Sequence, residues 1–554
     1  MFSGFRYTAG MSTLSTFEDD FPYPSQRMPV YARNAVATSQ PLAAQAGLRI
    51  MRQGGNAIDA AIATAAVLTV VEPTSNGLGS DAFAFIWAGG GLHGLNASGR
   101  SPAAFSADHL AGRRSFPYYG WDGVTVPGAV SAWALLSERF GALPFAQLMQ
   151  PAIEYASDGF PVSPMTASSW QRAAEIYRPD QFPAWHEHFA PDGRAPSTGE
   201  IFRSPDQART LERIADSRGA DFYEGELADR MAKAAEQAGA TLRSNDLAQH
   251  APEWVRPLNV TWRDVTLNEI PPNGQGIAAL IALGIMRAFD VEDLDPDGVE
   301  ALHLQIEAMK LAFADAHRYV ADPEFMDVDP AHLIDPSYLR SRASRVRRDR
   351  AQDFDHGEPK PGGTVYLTTA DQHGNMVSFI QSNYTGFGSG IVIPGTGIAM
   401  QNRGACFSLE PGHPNEAGPG KRPYHTIIPG FITREDADGG IAPLTSFGVM
   451  GGFMQPQGHL QVLLRMFAWR QNPQAALDAP RWRVNRGLSV TLEPGFAPEV
   501  IDGLRELGHD LTLASARTVS HGRGQIIHRI GNENDSVRWL AASDLRSDGQ
   551  SVGF

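Results

Sequence analysis

The chain has 554 residues, 42% hydrophobic and 19% charged, with a formal net charge of −15 and one cysteine, Cys406. That composition supports a large core. It excludes a nucleic-acid footprint, because the densest basic run, Arg340 to Arg350, is short, and it excludes an intramolecular disulfide or a cysteine-based metal cluster.

Residues 1 to 30 read as a loosely held arm with no basic flank leading into an apolar core, so no export signal is expected. No apolar run reaches the roughly 20 residues of a membrane span, and the expected location is the cytoplasm, with neither nucleic acid nor membrane as partner. Tyr31 to Ala37 reads as the first strand. Pro41 to Arg52 is an Ala-rich helix stopped by Gly54 and Gly55, and Asn56 to Val71 is a second, apolar on every side and therefore buried. A glycine-punctuated turn from Glu72 to Ser80 then enters a buried strand, Ala82 to Ala88. Helix, glycines, strand is the reverse of a dinucleotide fingerprint, where the strand comes first, so that site is rejected.

Gly91 to Leu95 pairs with that strand, and Arg100 lies in the loop after it. Val124 to Val126 reads as a short strand, with helices at Ala129 to Phe140 and Pro144 to Gly159. From Pro161 to Glu200 the sequence is irregular and reads as surface, with Trp170 and Trp185 assigned to packing. Helices return at Gln207 to Ala215, Gly225 to Ala238, Gly276 to Phe289 and Val299 to Tyr319, with strands between Leu258 and Glu269. Pro336 to Gly363 is charged, then rich in Pro and Gly, and is expected to be mobile.

That segment ends at Gly362-Gly363-Thr364. Val365 to Ala370 and Met376 to Gln381 form a hairpin around Asp371 to Asn375, with Gly374 placed for a positive φ. A Thr after two permissive glycines, at the edge of a strand, has the chemistry of a nucleophile hidden in a precursor. It attacks the carbonyl before it, and hydrolysis of the resulting ester leaves a new N-terminal Thr. The free α-amino group, with a pKa of about 8, then serves as base for the hydroxyl of the same residue. An ordinary strand Thr behind a flexible loop is the plain alternative. Farther on, Gly386 to Ile393 reads as a glycine-rich strand, Thr426 to Ile432 and Thr445 to Val449 as strands, and Gly458 to Ala468 as a helix. Gly451 and Gly452, between strand and helix, permit two backbone N–H groups to converge on one oxygen. A tight strand-to-helix turn is the plain alternative there. Asp478 to Trp482, Leu488 to Leu492, a helix from Pro498 to Leu507 and strands near Gln525 and Val537 close the chain.

These motifs in this order resemble the γ-glutamyltransferase family of N-terminal nucleophile hydrolases. The resemblance spans Gly54 to Ala61, Glu72-Pro73, Gly77 to Gly79, Thr364 with Asp371 and Gly374-Asn375, Gly386 to Gly390, Gly395 to Ile398, Gly420 to Pro423, Gly451-Gly452 and Ala479 to Arg481. It implies an α+β fold, a four-layer αββα sandwich. It also implies autocleavage between Gly363 and Thr364 into chains 1–363 and 364–554. Together these would form one domain as a heterodimer, with a dimer of heterodimers as a further arrangement. By the same resemblance Thr364 attacks a small-molecule amide, Ser382 bonds its hydroxyl, and Gly451 and Gly452 hold the oxyanion. No metal or organic cofactor is expected.

The departures from the family pattern concern substrate. Ser98 stands where γ-glutamyl-specific members carry an arginine, with Arg100 two residues on, and Cys406 stands where they carry the aspartate for the substrate ammonium. Tyr384, Arg403, His425 and Thr426 replace other contacts, and the connection from Glu410 to Gly420 is shorter than the usual lid-bearing loop. Losing that aspartate removes a charge-assisted bond worth about 1.5 to 3 kcal/mol, which argues against glutathione. Arg100 and Arg403 suggest a carboxylate without a neighbouring amine, although a structural ion pair is equally open to Arg403. The implied activities are a carboxylate-bearing amidohydrolase, an oxamate amidohydrolase, a cephalosporin or glutaryl acylase, or a glutathione hydrolase or transpeptidase. An unprocessed binding protein is the non-enzymatic reading.

Overall fold

Two seven-stranded antiparallel sheets lie face to face in the computed structural model, which describes residues 22–24, 27–113, 115–354, 363–436, 438–531 and 536–554. The first sheet runs Gln550–Gly553, Ala35–Thr38, Gly363–Ala370, Met376–Tyr384, Asp81–Ala88, Gly91–Asn96 and Glu253–Val255. The second runs Val30–Ala32, Arg538–Ser543, Arg523–Ile530, Ile441–Met450, Gly430–Glu435, Val265–Glu269 and Leu258–Trp262. Strands from before and after Thr364 therefore build both sheets.

The inner faces meet through Phe83, Phe85, Tyr366, Ile380, Phe431, Ile527 and Trp539, all fully buried. Outside the first sheet the helices Pro41–Arg52 and Ala57–Val71 pack on Val36, Ala84, Val365 and Phe379. Outside the second, Gly276–Met286, Val299–Tyr319 and Met454–Phe467 pack on Leu267, Ile432, Phe447 and Ile526. These are the expected αββα layers, and burying both faces of each sheet explains why its strands are apolar throughout rather than alternating.

One helix end is tied directly to the hairpin that carries Thr364. Asn56 caps the helix Ala57–Val71, accepting from the backbone N–H groups of Ile58 and Asp59, while Asp59 returns a bond to Asn56 N. The Asp371 carboxylate, in the hairpin turn, accepts from Ala57 N at 2.9 Å and from His373 N and Asn375 N. A carboxylate on a helix N-terminus satisfies orphan donors and complements the dipole. The turn completes itself with Gly374 at φ 89, as expected.

Several sequence expectations are corrected. The strand read from Tyr31 to Ala37 is two, Val30–Ala32 and Ala35–Thr38, which join different sheets. Val124 to Val126 is not a strand. The stretch read as irregular surface holds the helices Pro164–Ile176 and Pro183–Phe189, with Trp170 and Trp185 fully buried. Their prolines occupy first helical positions rather than breaking helices. Gly386 to Ile393 is mostly turn, because Gly386, Gly388 and Gly390 take φ values of 50, 80 and 80, leaving only Val392–Ile393 extended. Of the segment Pro336 to Gly363, expected to be mobile throughout, Pro336–Ala343 is a helix, and 355–362 lie outside the described residues.

Candidate active site

Thr364 is the second residue of the strand Gly363–Ala370 and is 1% exposed. Its pairing with Met376–Tyr384 slips between Gly363 and Val365, a local irregularity that re-aims Thr364 out of the ladder. The Thr364 hydroxyl donates to Ser382 Oγ at 3.1 Å, and Ser382 Oγ donates to the Gly363 carbonyl at 2.6 Å. Tyr384 N–H donates to the same Ser382 oxygen at 2.8 Å, fixing its rotamer. The hydroxyl chain thus ends on the carbonyl that precedes Thr364. Gly363 has no room for a side chain there, since an added Cβ would lie 2.9 Å from Gly386 N.

Gly451 and Gly452 link the strand Ile441–Met450 to the helix Met454–Phe467 at φ 145 and 61, values that favour glycine. Their carbonyls are engaged, Gly451 O by Met454 N, and Gly452 O by Gln455 N and by Gln275 Nε2 at 2.9 Å. The helix N-terminus they introduce brings Gln455, whose Nε2 donates to Thr364 Oγ1 at 3.5 Å. Arg523 holds the other side. Its Nη2 donates to the Thr364 carbonyl at 2.7 Å and to Ser75 Oγ at 3.2 Å, and its Nη1 pairs with Glu72 at 2.6 Å.

A cavity of about 590 Å³ opens over Gly363 and Gly451, walled by Tyr118, Tyr119, Ile176, Tyr177, Arg172 and Arg523 among others. Its size suits a small organic ligand. Beneath one wall lies Arg403, fully buried, with the Tyr384 ring 4.6 Å from its guanidinium carbon and Tyr118 stacked on Tyr384 at 6.1 Å. Arg403 Nη1 donates to Thr426 Oγ1 at 2.7 Å, and Gln275 in turn binds the Thr426 carbonyl at 2.6 Å and that of Gly452. Tyr384, through Ser382, and Gln275 therefore connect this pocket to Thr364 and to the glycine pair.

His425 lies behind Arg403, its Nε2 3.1 Å from Asp81 Oδ2 and its ring 4.7 Å from that of Phe83. Burial, with Arg403 adding to it, holds the His425 imidazole well below its ordinary pKa. Burial pushes the Asp81 carboxyl up to about 7 against the pull of Arg403, and pushes the Cys406 thiol up as well. Below neutrality this pocket carries the Arg403 charge beside neutral neighbours.

Of the expected site residues, Thr364, Ser382, Gly363, Gly451 and Gly452 come together. Tyr384, Arg403, His425 and Thr426 form the adjoining pocket. Arg100 takes another place, bound to Asp322 at 2.7 Å, to Gly420 O at 3.0 Å and to Glu324 at 3.2 Å, beside a separate cavity with His250, Glu253 and Arg422. Sequence reasoning missed Gln455, Arg523, Gln275 and Asp81. Glu72 appeared only as a motif residue, and the position of Gln455 three residues after Gly452 was the one local clue. Among the described residues, His303, Glu307 and His509 form a trio of metal-ligand type. There Lys310 already pairs with Glu307 at 2.8 Å and the two imidazoles bond each other at 2.8 Å, so the cluster satisfies itself. No helix of the described residues is long and apolar enough to cross a membrane.

The family model described as gamma-glutamyltranspeptidase matches residues 43–554. An oxamate amidohydrolase proenzyme of Klebsiella pneumoniae is 36% identical over 93% of this chain and 97% of its own length. A glutathione hydrolase-like proenzyme of Bacillus subtilis is 33% identical over 94% and 98%. The crystal structure of cephalosporin acylase from Bacillus halodurans superposes with a TM-score of 0.90 at 49% identity, covering 97% of this chain and 99% of that one. With the match running nearly end to end and the sandwich preserved, the chain belongs to the gamma-glutamyltranspeptidase family of N-terminal nucleophile hydrolases.

Proposed function

We propose that this protein is a self-processing amidohydrolase whose nucleophile is Thr364 and whose substrate is a small amide bearing a carboxylate. The observation that carries the reading is the hydroxyl chain from Thr364 through Ser382 to the Gly363 carbonyl, set at the floor of a cavity. In the precursor, Ser382 polarises that carbonyl while Thr364 Oγ attacks its carbon. The C–N bond breaks, the nitrogen takes the proton as the α-amine of Thr364, and water hydrolyses the Gly363 ester to a carboxylate. Chains 1–363 and 364–554 then remain joined through both sheets.

In turnover the α-amine accepts the Thr364 hydroxyl proton and the oxygen adds to the substrate amide. Gly451 and Gly452, at the start of a helix, supply N–H groups and dipole to the developing oxyanion. The amine leaves with the proton, and water releases the acid from the acyl-enzyme. The names of relatives, a glutathione hydrolase-like proenzyme, an oxamate amidohydrolase proenzyme and a cephalosporin acylase, support self-processing and hydrolysis.

Denaturing electrophoresis with mass spectrometry tests it. The expected result is two bands, the smaller beginning at Thr364; a single band after long incubation of the purified protein refutes the maturation. Thr364→Ala should give one band and no turnover, and hydrolysis retained in that variant excludes Thr364. Ser382→Ala, losing a bond to the attacked carbonyl, should slow processing roughly tenfold.

A further inference from the structure

Among the described residues three arginines are fully buried, Arg403, Arg481 and Arg546. Arg481 and Arg546 are neutralised by Asp544 and Glu493. Arg403 makes no ion pair among the described residues. Its Nη1 is held by Thr426 Oγ1 and faces the Cys406 sulfur at 3.9 Å, while Nε and Nη2 are buried without a hydrogen-bond partner. Those two nitrogens share one edge of the guanidinium plane, the edge that takes both oxygens of a carboxylate side-on. An orphaned donor in the interior costs what its lost hydration was worth, and an orphaned charged fork costs more, so two adjacent open donors on one buried guanidinium mark a place where an outside group, water or ligand, completes them.

The surroundings specify the ligand further. No ionised carboxylate faces this edge below neutrality: burial raises the neighbouring Asp81 to about 7, and burial keeps protonated the Cys406 thiol, whose sulfur bonds the Tyr384 hydroxyl. His425 offers no second cation, being uncharged beside Asp81. Tyr384 roofs the guanidinium with its ring and holds φ 76, a conformation uncommon for a bulky residue. Its backbone N–H sits on Ser382, so the same residue touches the nucleophile's partner and covers the seat.

We propose that the Nε–Nη2 edge of Arg403 is the seat of the substrate's carboxylate, uncovered when the Tyr384 ring turns aside, and that it selects acyl donors carrying a carboxylate with no α-ammonium. This rests on the amidohydrolase reading for its acyl donor, while the anion seat itself is separable from it. The scissile amide then lies at Thr364, and the span from seat to nucleophile sets the acyl chain length.

Calorimetric titration of the processed protein with the dicarboxylates from oxalate to glutarate, and with the matching neutral diamides, tests the seat directly. One dicarboxylate should bind at least tenfold tighter than its diamide. Arg403→Gln should abolish that ratio, and Arg403→Lys, a point charge without the fork, should restore only part of it. In hydrolysis, Arg403→Gln should raise KM tenfold or more for the carboxylate-bearing anilide of the preferred length and leave its methyl ester within twofold. A wild type that does not discriminate acid from diamide overturns the proposal, as does discrimination that survives Arg403→Gln. Because a buried arginine variant can fail to fold, the wild type soaked with the preferred diacid gives a second reading. A carboxylate bonded to Arg403 Nε and Nη2 supports the seat, and one bonded to Arg172 or Arg523 overturns it. Diacid binding at Arg403 without cleavage of any amide refutes the amidohydrolase reading alone; amide cleavage without carboxylate preference refutes the seat alone.

Discussion

Two buried arginine sites C-terminal to Thr364 behave as opposites. In one, Arg481 pairs with Asp544 at 2.6 Å, while Arg546 bonds Asp544 at 3.1 Å and Glu493 through two nitrogens. Other donors reach the carbonyls of Leu477, Ala479, His521 and Gly522, and Arg481 Nε alone of this group has no hydrogen-bond partner. Two cations meet two anions, and the balance holds Asp544 at about 2 despite burial. In the other, Arg403 has one hydroxyl, a sulfur and an aromatic face. A closed quartet answers every charge from within the chain and serves the fold; an open fork leaves one charge to be answered from outside. The quartet also reaches the chemistry, because the Gly522 carbonyl it grips directly precedes Arg523, which holds Thr364.

The largest effect should come from breaking the quartet. Asp544→Ala leaves two buried guanidinium groups with one carboxylate between them, at an expected cost of about 3–5 kcal/mol. Thermal melting should register it, and processing should slow as the Arg523 anchor loosens. A cost below about 1 kcal/mol would mean that the quartet is as dispensable as the comparison holds Arg403 to be.

Arg403→Met is the counterpart. Exchanging an uncompensated buried charge for an apolar side chain of similar length is expected to leave stability within about 1 kcal/mol or raise it. The same melting measurement checks this. A loss matching that of Asp544→Ala would make Arg403 a structural residue and remove the contrast.

The contrast between these sites also marks what was legible beforehand. Helices with a clear apolar pattern fell where expected: Pro41–Arg52, Ala129–Phe140 and Val299–Tyr319 agree at both ends. The hairpin after Gly363-Thr364 and its Gly374 turn are legible because strand and turn chemistry are adjacent in the chain. The partners that give the site its electrostatics are not adjacent. Gln455 and Arg523 lie 91 and 159 positions from Thr364, and His425 lies 344 from Asp81. Arg100 and Arg403 looked alike as loop arginines. Only the fold reveals that Arg100 pairs with Asp322, 222 positions away, while Arg403 makes no ion pair among the described residues and has Asp81 as its neighbouring acid. Gly386, Gly388 and Gly390 read as strand in the sequence and turn in the structure, because glycine carries no side chain from which to read direction.

The smallest effect concerns pH and separates the sites without a change of sequence. Burial raises the Asp81 carboxyl to about 7, so it stays protonated across the range in which an exposed aspartate is ionised. Above that value it gains a negative charge that Arg403 feels, together with Arg422 on the other side, while His425, Cys406 and Tyr384 stay neutral. An internal anion competes with the substrate carboxylate, so KM for a carboxylate-bearing amide should rise as pH passes upward through 7. Sharing of that charge with Arg422 limits the rise to about threefold, roughly 0.7 kcal/mol. The neutral ester should show no such step, and Asp81→Asn should flatten it for the acid. Asp544 of the quartet does not titrate in this window, because the same burial that lifts Asp81 is outweighed there by two guanidinium groups in contact. A KM that falls above pH 7 would place the ionising group away from Arg403 and break the assignment of the open fork.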